Sequence, residues 1–100
     1  MARQPNITAS GGSFDEKTIE AVWQKGPQEP GFSTFRKEMC GASMQRTKHG
    51  LTEAYGWEID HKKPIAAGGT DDLNNLQPLQ WENNRHKGDS YPKWDCKVTS

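Results

Sequence analysis

The spacing of apolar side chains predicts one helix in the first third of the chain. Four apolar residues recur there at roughly helical intervals: Phe14, Ile19, Val22 and Trp23. Ser13 and Glu16 have the spacing of a capping box, in which both side chains satisfy free backbone amides. Gly26-Pro27 ends the pattern. We expect a packing helix that begins at Ser13.

The next stretch gives weaker patterns. Residues 28–33 and 49–55 are predicted loops, because prolines or glycines punctuate them. Residues 35–44 fit either a short helix or a strand interrupted at Cys40-Gly41, and the pattern does not choose between the two.

Strict alternation begins in the middle of the chain. Tyr55, Trp57 and Ile59 alternate with Glu58 and Asp60, which predicts a half-buried strand. A turn-rich loop follows. Residues 76–79 then form a short extended stretch whose proline implies a strand edge or a strand end. Residues 80–87 suit a helix that a glycine ends in the left-handed conformation.

Composition limits this pattern to one small domain of the α+β class. The chain has 100 residues, only 31% of them hydrophobic, so four tryptophans are expected to carry much of the core. Residues 1–12 are polar and end in Ser10-Gly11-Gly12, which predicts a flexible tail. Residues 13–100 are then the single domain, with strand, loop, strand and helix over about 55–90.

Charge and cysteine usage narrow the setting. The 13 basic and 13 acidic residues cancel, which argues against indiscriminate binding to nucleic acid. The N-terminus has no apolar run, so neither a signal peptide nor a membrane span is expected. Cys40 and Cys96 could pair, but two cysteines are few for a disulfide framework, so we expect a cytoplasmic protein with free thiols.

Candidate chemistry lies in the strand, loop, strand and helix segment. Asp60 offers a carboxylate, a ligand that suits Mg²⁺ or Mn²⁺. His61 can be neutral near pH 7 and take a proton from water. Asn75 and Asn84 follow in the loop and the helix. In a regular strand Asp60 and His61 would lie on opposite faces, but a strand end or bulge would let both line one site.

This segment resembles the HNH endonucleases, which have the ββα-metal fold: a β-hairpin packed on a helix that completes the metal site. The matching strings are Ile59-Asp60-His61, Pro64, Gly68-Gly69-Thr70-Asp71, Asn75-Leu76, Leu79 and Asn84-x-x-Lys87-Gly88. The three family letters fall on His61, Asn75 and Asn84.

The resemblance implies a role for each residue. His61 would be the general base, and Asn75 would hold the loop that orients it. Asp60 and Asn84 would bind one divalent cation, Mg²⁺ or Mn²⁺. Asn83 is the competing position in the helix, and the spacing to Lys87-Gly88 favours Asn84.

Basic residues near the segment are candidates for holding the DNA backbone. Six are considered: Arg46, Lys48, Lys62, Lys63, Arg85 and Lys87. Each also fits a solvated surface charge. His86 could be an extra ligand in some variants of the family, but no role is assigned to it.

The chain departs from many relatives at their structural zinc site. Those relatives carry two cysteine pairs; here Ser43 stands three residues after Cys40, and Gln80 and Asn83 stand where the second pair would be. A four-thiolate zinc site is therefore excluded by ligand count, and no structural zinc is expected.

The resemblance implies a metal-dependent DNA endonuclease of low sequence specificity that nicks duplex DNA as a monomer. A DNA-binding module without cleavage is the alternative. A structural metal-binding domain is disfavoured by the missing thiols, and RNA or single-stranded substrates fit the same chemistry. DNA is thus the expected partner; a recruiting protein would offset the neutral charge, but the sequence identifies none.

Overall fold

The computed structural model describes residues 4–100, and the first helix begins later than the capping box predicted. Helix α1 spans Glu16–Trp23. Its N-cap is Asp15, whose carboxylate accepts from the Thr18 amide at 2.8 Å. The predicted start at Ser13 is therefore wrong by two residues, because an aspartate nearer the helix satisfies the free amide.

A three-stranded antiparallel sheet follows α1. It contains β1 (Gln28–Glu29), β2 (Phe32–Lys37) and β3 (Ser43–Gln45), in that order. The strand alternative for residues 35–44 is confirmed, with a turn at Cys40-Gly41 between β2 and β3. The loop predicted over residues 28–33 is largely wrong, because β1 and the start of β2 occupy it.

The second sheet is the predicted hairpin. Strand β4 (Trp57–His61) pairs antiparallel with β5 (Leu76–Gln80), in regular register from Trp57 opposite Gln80 to His61 opposite Leu76. Helix α2 (Trp81–Lys87) follows β5 directly and packs on both strands. The small α+β domain predicted from the sequence, a β-hairpin against a helix with a second helix before it, is confirmed.

Both faces of β4 are covered, not one. Its first four residues are all buried, including Glu58 and Asp60. The half-buried strand predicted from alternation is wrong, because α2 covers the face that carries these two carboxylates. Burial of two acidic side chains on one short strand demands partners for both.

The core lies between α1 and the two sheets. Its buried apolar residues form one cluster: Phe14, Ile19, Val22, Trp23, Met44, Trp57, Ile59 and Leu76. Trp23 and Trp57 contact each other with ring centroids 5.2 Å apart. Trp81 and Trp94 are only half-buried, so two of the four tryptophans, not all four, build the centre.

The N-terminal segment packs on the domain. Asn6 places its side-chain oxygen on the Ile59 amide at 2.8 Å, where β4 has no neighbouring strand. The Ala9 amide donates to the Asp71 carboxylate at 3.0 and 3.1 Å. A flexible tail was predicted for residues 1–12; these contacts tie Asn6 and Ala9 to the domain, the flexibility of the segment stays a prediction, and residues 1–3 lie outside the described part.

Cys40 and Cys96 form a disulfide with their Cα atoms 5.8 Å apart. The expectation of two free thiols is wrong, and it no longer supports a cytoplasmic location. Asn83 holds the same C-terminal segment, because its side-chain oxygen accepts from the Lys97 and Val98 amides at 2.7 and 2.8 Å. Within residues 4–100, no helix is long and apolar enough to cross a membrane.

A buried glutamate joins the first sheet to the start of α2. One Glu38 oxygen accepts from the amides of Cys40 and Ala42, at 2.7 and 3.2 Å. The other accepts from the Gln80 amide and the Asn83 side chain, each at 3.1 Å. Two of these four donors belong to the turn after β2 and two to the start of α2, so Glu38 connects the first sheet with this helix.

Candidate active site

One open cleft brings three predicted site residues together. Asp60, His61 and Asn84 all line it, beside Asn6 and Arg85. The register of β4 contains no bulge. Asp60 and His61 share the cleft because β4 ends at His61, one of the two possibilities that the sequence left open.

Asp60 is enclosed but not isolated from the cleft. Its carboxyl group is held by Gln77, which donates to Oδ2 at 2.9 Å, and by Lys87, whose Nζ lies 3.3 Å from Oδ1. Burial raises the pKa of Asp60 above the usual range of aspartate, and the bonds from Gln77 and Lys87 offset only part of that effect. A cation beside this carboxylate therefore stabilises its charged form.

Lys87 is an internal cation and not a surface one. Its side chain is 1% exposed and donates to Asp60 and to the His61 carbonyl, the latter at 3.1 Å. The predicted contact of Lys87 with DNA phosphate does not fit this position. The ammonium lies against the buried carboxylate, so its charge acts on Asp60.

His61 is fixed by a carboxylate that the sequence analysis did not single out. Its Nε2 lies 2.8 Å from Asp71 Oδ1, and the ring sits 6.0 Å from the Phe14 ring. A carboxylate only accepts, so Nε2 carries the proton in the neutral ring and Nδ1 keeps its lone pair. The signal for Asp71 was its place directly after Gly68-Gly69-Thr70 in the loop.

Asn75 bonds to the loop backbone. Its Oδ1 accepts from the Lys63 amide at 2.8 Å, while Nδ2 donates to the carbonyls of Lys63 and Thr70 at 3.0 and 2.9 Å. Gly69 permits the close approach, because a Cβ there would lie 1.8 Å from the Lys63 oxygen. These contacts fix the segment that follows His61, which is the geometry predicted for Asn75; its effect on catalysis stays a prediction.

The two neighbouring asparagines of α2 point to different surroundings. Asn83 bonds to Glu38 and to the C-terminal segment, whereas Asn84 lines the cleft. Asn84 donates from Nδ2 to Glu58 Oε1 at 2.9 Å, which leaves its oxygen as the free end of the amide. The geometry favours Asn84 over Asn83 as a possible ligand. His86 is exposed and does not line the cleft.

The donor set fits a hard cation and no softer metal. No group of three or more His, Cys, Asp or Glu able to hold a metal occurs among residues 4–100. Asp60 and Asn84 offer a carboxylate and an amide oxygen at one cleft, ligands that suit Mg²⁺ or Mn²⁺. Two protein oxygens would leave further positions for water and phosphate.

Three predicted DNA contacts are in ion pairs. Arg46 bonds to Glu20 at 2.9 Å. Lys48 and Arg85 do the same with Glu53 and Glu58, at 2.6 and 2.9 Å. Lys62 and Lys63 are exposed beside His61. The two lysines are the most available of the six for a phosphate, and all of these contacts stay predictions.

One known family matches the part of the chain that contains the hairpin and α2. A family model described as HNH endonuclease matches residues 38–90, more than half of the chain. The matched range includes Glu38, the hairpin, the loop with Asn75 and the whole of α2. No match was found among curated proteins or among solved structures.

Proposed function

Because the chain belongs to the HNH endonuclease family, we propose that it is a divalent-metal-dependent endonuclease that hydrolyses phosphodiester bonds in DNA. The carrying observation is that Asp60, His61 and Asn84 line one cleft, with His61 Nε2 bonded to Asp71 at 2.8 Å. That bond leaves Nδ1 as the basic atom at a site that also offers two oxygen ligands.

Each side chain then has one task. His61 takes the proton of the attacking water at Nδ1, and Asp71 holds the ring in the tautomer that makes this possible. Asp60 and Asn84 hold the cation. When bound, Mg²⁺ or Mn²⁺ supplies Lewis-acid polarisation of the phosphate and stabilises charge on the 3′ leaving oxygen. Asn75 keeps the loop behind His61 in place.

The product would be a nick in duplex DNA. One cleft holds one base, so a monomer cuts one strand in each encounter. The net charge of zero predicts modest affinity for DNA, because few phosphates are neutralised. The affinity should fall as salt rises, because salt screens the charge contacts that do form.

One observation favours the alternative, a DNA-binding module that does not cleave. The Lys87 ammonium already neutralises Asp60 Oδ1 at 3.3 Å, so the fold does not need a metal to compensate this carboxylate. The presence of a fixed histidine at the same cleft favours cleavage, since a binding module has no use for a held base.

Supercoiled plasmid incubated with Mg²⁺ or Mn²⁺ tests the proposal. We expect open-circle product that requires the metal, is abolished by EDTA, and falls by at least about 100-fold in His61→Ala, the scale of general-base catalysis. His86→Ala is the matched control, because His86 is exposed and outside the cleft. Nicking by His61→Ala at the parent rate would contradict the assigned base; DNA binding without cleavage in either metal would favour the alternative.

A further inference from the structure

Glu58 is a buried carboxylate with no role in the proposed chemistry. It lies on β4 opposite α2, and its side chain is 2% exposed. Oε1 accepts from Asn84 Nδ2 at 2.9 Å, and Oε2 accepts from Arg85 at 2.9 Å. Glu58 therefore bonds both to Arg85 and to the adjacent Asn84, and Asn84 lines the cleft.

The chemistry of the pair fixes which end of the Asn84 amide faces the cleft. An ionised carboxylate only accepts, whereas an amide has a donating nitrogen and an accepting oxygen. The nitrogen must face Glu58, since the reverse orientation would oppose two acceptors inside the protein. The oxygen is then the end left for the cleft, and a hard cation needs an oxygen there.

Arg85 holds the Glu58 carboxylate in position. Its guanidinium bonds to Glu58 and lies 5.8 Å from the centre of the Trp81 ring. Because the arginine sits on α2 next to Asn84, the same contact draws Glu58 toward the helix that carries the ligand.

We propose that Glu58 is a positioning residue that orients the Asn84 amide so that its oxygen, and not its nitrogen, faces the metal. This inference rests on the proposed function. It adds a residue that touches neither substrate nor cation, and its effect should appear in metal affinity before any reaction takes place.

Calorimetric titration of the DNA-free protein with Mn²⁺ gives the first measurement. Glu58→Gln should weaken Mn²⁺ binding by about tenfold, the lower end of what residues behind a metal ligand contribute. Glutamine can donate to the Asn84 oxygen, so the amide loses its preference for the correct orientation. Glu53→Gln is the matched control, because that carboxylate pairs with Lys48 away from the cleft and should leave affinity unchanged.

A second background separates orientation from simple loss of packing. In Asn84→Asp, residue 84 has two oxygens and needs no orientation, but its carboxylate would oppose Glu58. Adding Glu58→Gln there provides a donor to the new carboxylate, so Mn²⁺ affinity should rise where it fell in the Asn84 protein. A decrease of similar size in both backgrounds would show a structural role only and would overturn the proposal.

The failure of the inference is distinguishable from that of the proposed function. If the parent protein binds neither Mn²⁺ nor Mg²⁺, the proposed function fails, and the side-chain amide NMR signals of Asn84 decide the orientation in the metal-free protein. Protection of the Nδ2 protons from exchange that disappears in Glu58→Gln supports the orientation. Equal exchange in the two proteins overturns it.

Discussion

Two buried carboxylate centres flank helix α2, and they are built in opposite ways. Glu38, at the start of the helix, accepts four hydrogen bonds from neutral donors and does not line the cleft that holds Asp60, His61 and Asn84. Asp60, near the end of the helix, has one neutral donor and one buried cation, and it lines the cleft. The first centre has its acceptor capacity filled by the fold; the second keeps part of it available.

Buried carboxylates differ in how much of their acceptor capacity the fold leaves unfilled. A carboxylate has about four acceptor positions. When fixed amides fill all of them, the carboxylate connects parts of the fold but has no position left for a ligand. Asp60 is instead partly satisfied by a charge that another cation could replace. Burial alone does not distinguish Glu38 from Asp60. The nature and number of their hydrogen-bond donors distinguish a structural carboxylate from one that can still bind a ligand.

Removing the Glu38 carboxylate should have the largest effect on stability. Glu38→Ala would leave four donors without a partner, some of which water can reach, so we expect a loss of about 4 kcal/mol in the free energy of unfolding. Urea denaturation followed by tryptophan fluorescence measures it. Glu53→Ala, which breaks an exposed ion pair, should cost no more than about 1 kcal/mol. Equal losses of stability in the two variants would mean that Glu38 does not hold the first sheet to α2.

Breaking the disulfide should have the next largest effect and should separate the two centres. The bond closes a loop across 56 positions, and Cys40→Ser with Cys96→Ser should lower the free energy of unfolding by about 3 kcal/mol, the middle of the usual range for a disulfide. Cys96 lies beside the Asn83 contacts of the C-terminal segment and away from the cleft. Nicking at a temperature where the variant stays folded should be unchanged. A loss of activity in the folded variant would show that the contacts around Glu38 and Cys96 also determine the geometry of the cleft.

Replacing the cation of the second centre should cost less and should make stability depend on metal. Lys87→Met keeps the buried stem but leaves Asp60 without its ammonium, at a cost of about 2 kcal/mol, because Gln77 still donates to the carboxylate, which also borders an open cleft. Under the proposed function, Mn²⁺ should raise the melting temperature of this variant more than that of the parent, as measured by calorimetry. Lys93→Met, on an exposed residue of the C-terminal segment, is the control.

The sequence brought Asp60, His61 and Asn84 to one site but gave no sign of the first centre, and the roles of these three residues stay predictions. The residues of that site fall in one short segment whose pattern of Asp60, His61, Asn75 and Asn84 carries the family resemblance, so local spacing was enough. Glu38 is distant from Gln80 and Asn83 along the chain, and only the folded structure brings them together. The same limit hid the bond between Cys40 and Cys96 and the packing of Asn6 on β4.

Alternation misled where two layers meet. Glu58 and Asp60 occupy the polar positions of β4, which in an isolated sheet would face water. Helix α2 covers that face, and the partners that make burial possible, Gln77, Lys87 and Arg85, come from other elements. Periodicity describes the face of a strand, but it does not tell what packs against that face.

The smallest effect concerns His49, a half-buried group that belongs to neither centre. His49 bonds through Nε2 to the neutral Asn6 oxygen at 3.0 Å and packs on Trp57. Burial lowers its pKa below the ordinary value, and the nearby Arg46 charge lowers it further. The unfolded chain therefore binds the proton more readily, so stability is fully present above about pH 6.5, the ordinary histidine pKa, and declines as pH falls toward the folded pKa.

Urea denaturation at pH 7.5 and pH 5 measures this contribution as the difference between His49→Gln and the parent. The variant should be less stable than the parent at pH 7.5, because it loses packing, but it should lose less further stability on acidification. His86→Gln is the matched control, since His86 is exposed, and it should keep the pH dependence of the parent. Identical pH dependence in all three proteins would show that the fold accepts a charged His49 without cost. A half-buried ionisable group at this position would then need no set of fixed donors like the one around Glu38.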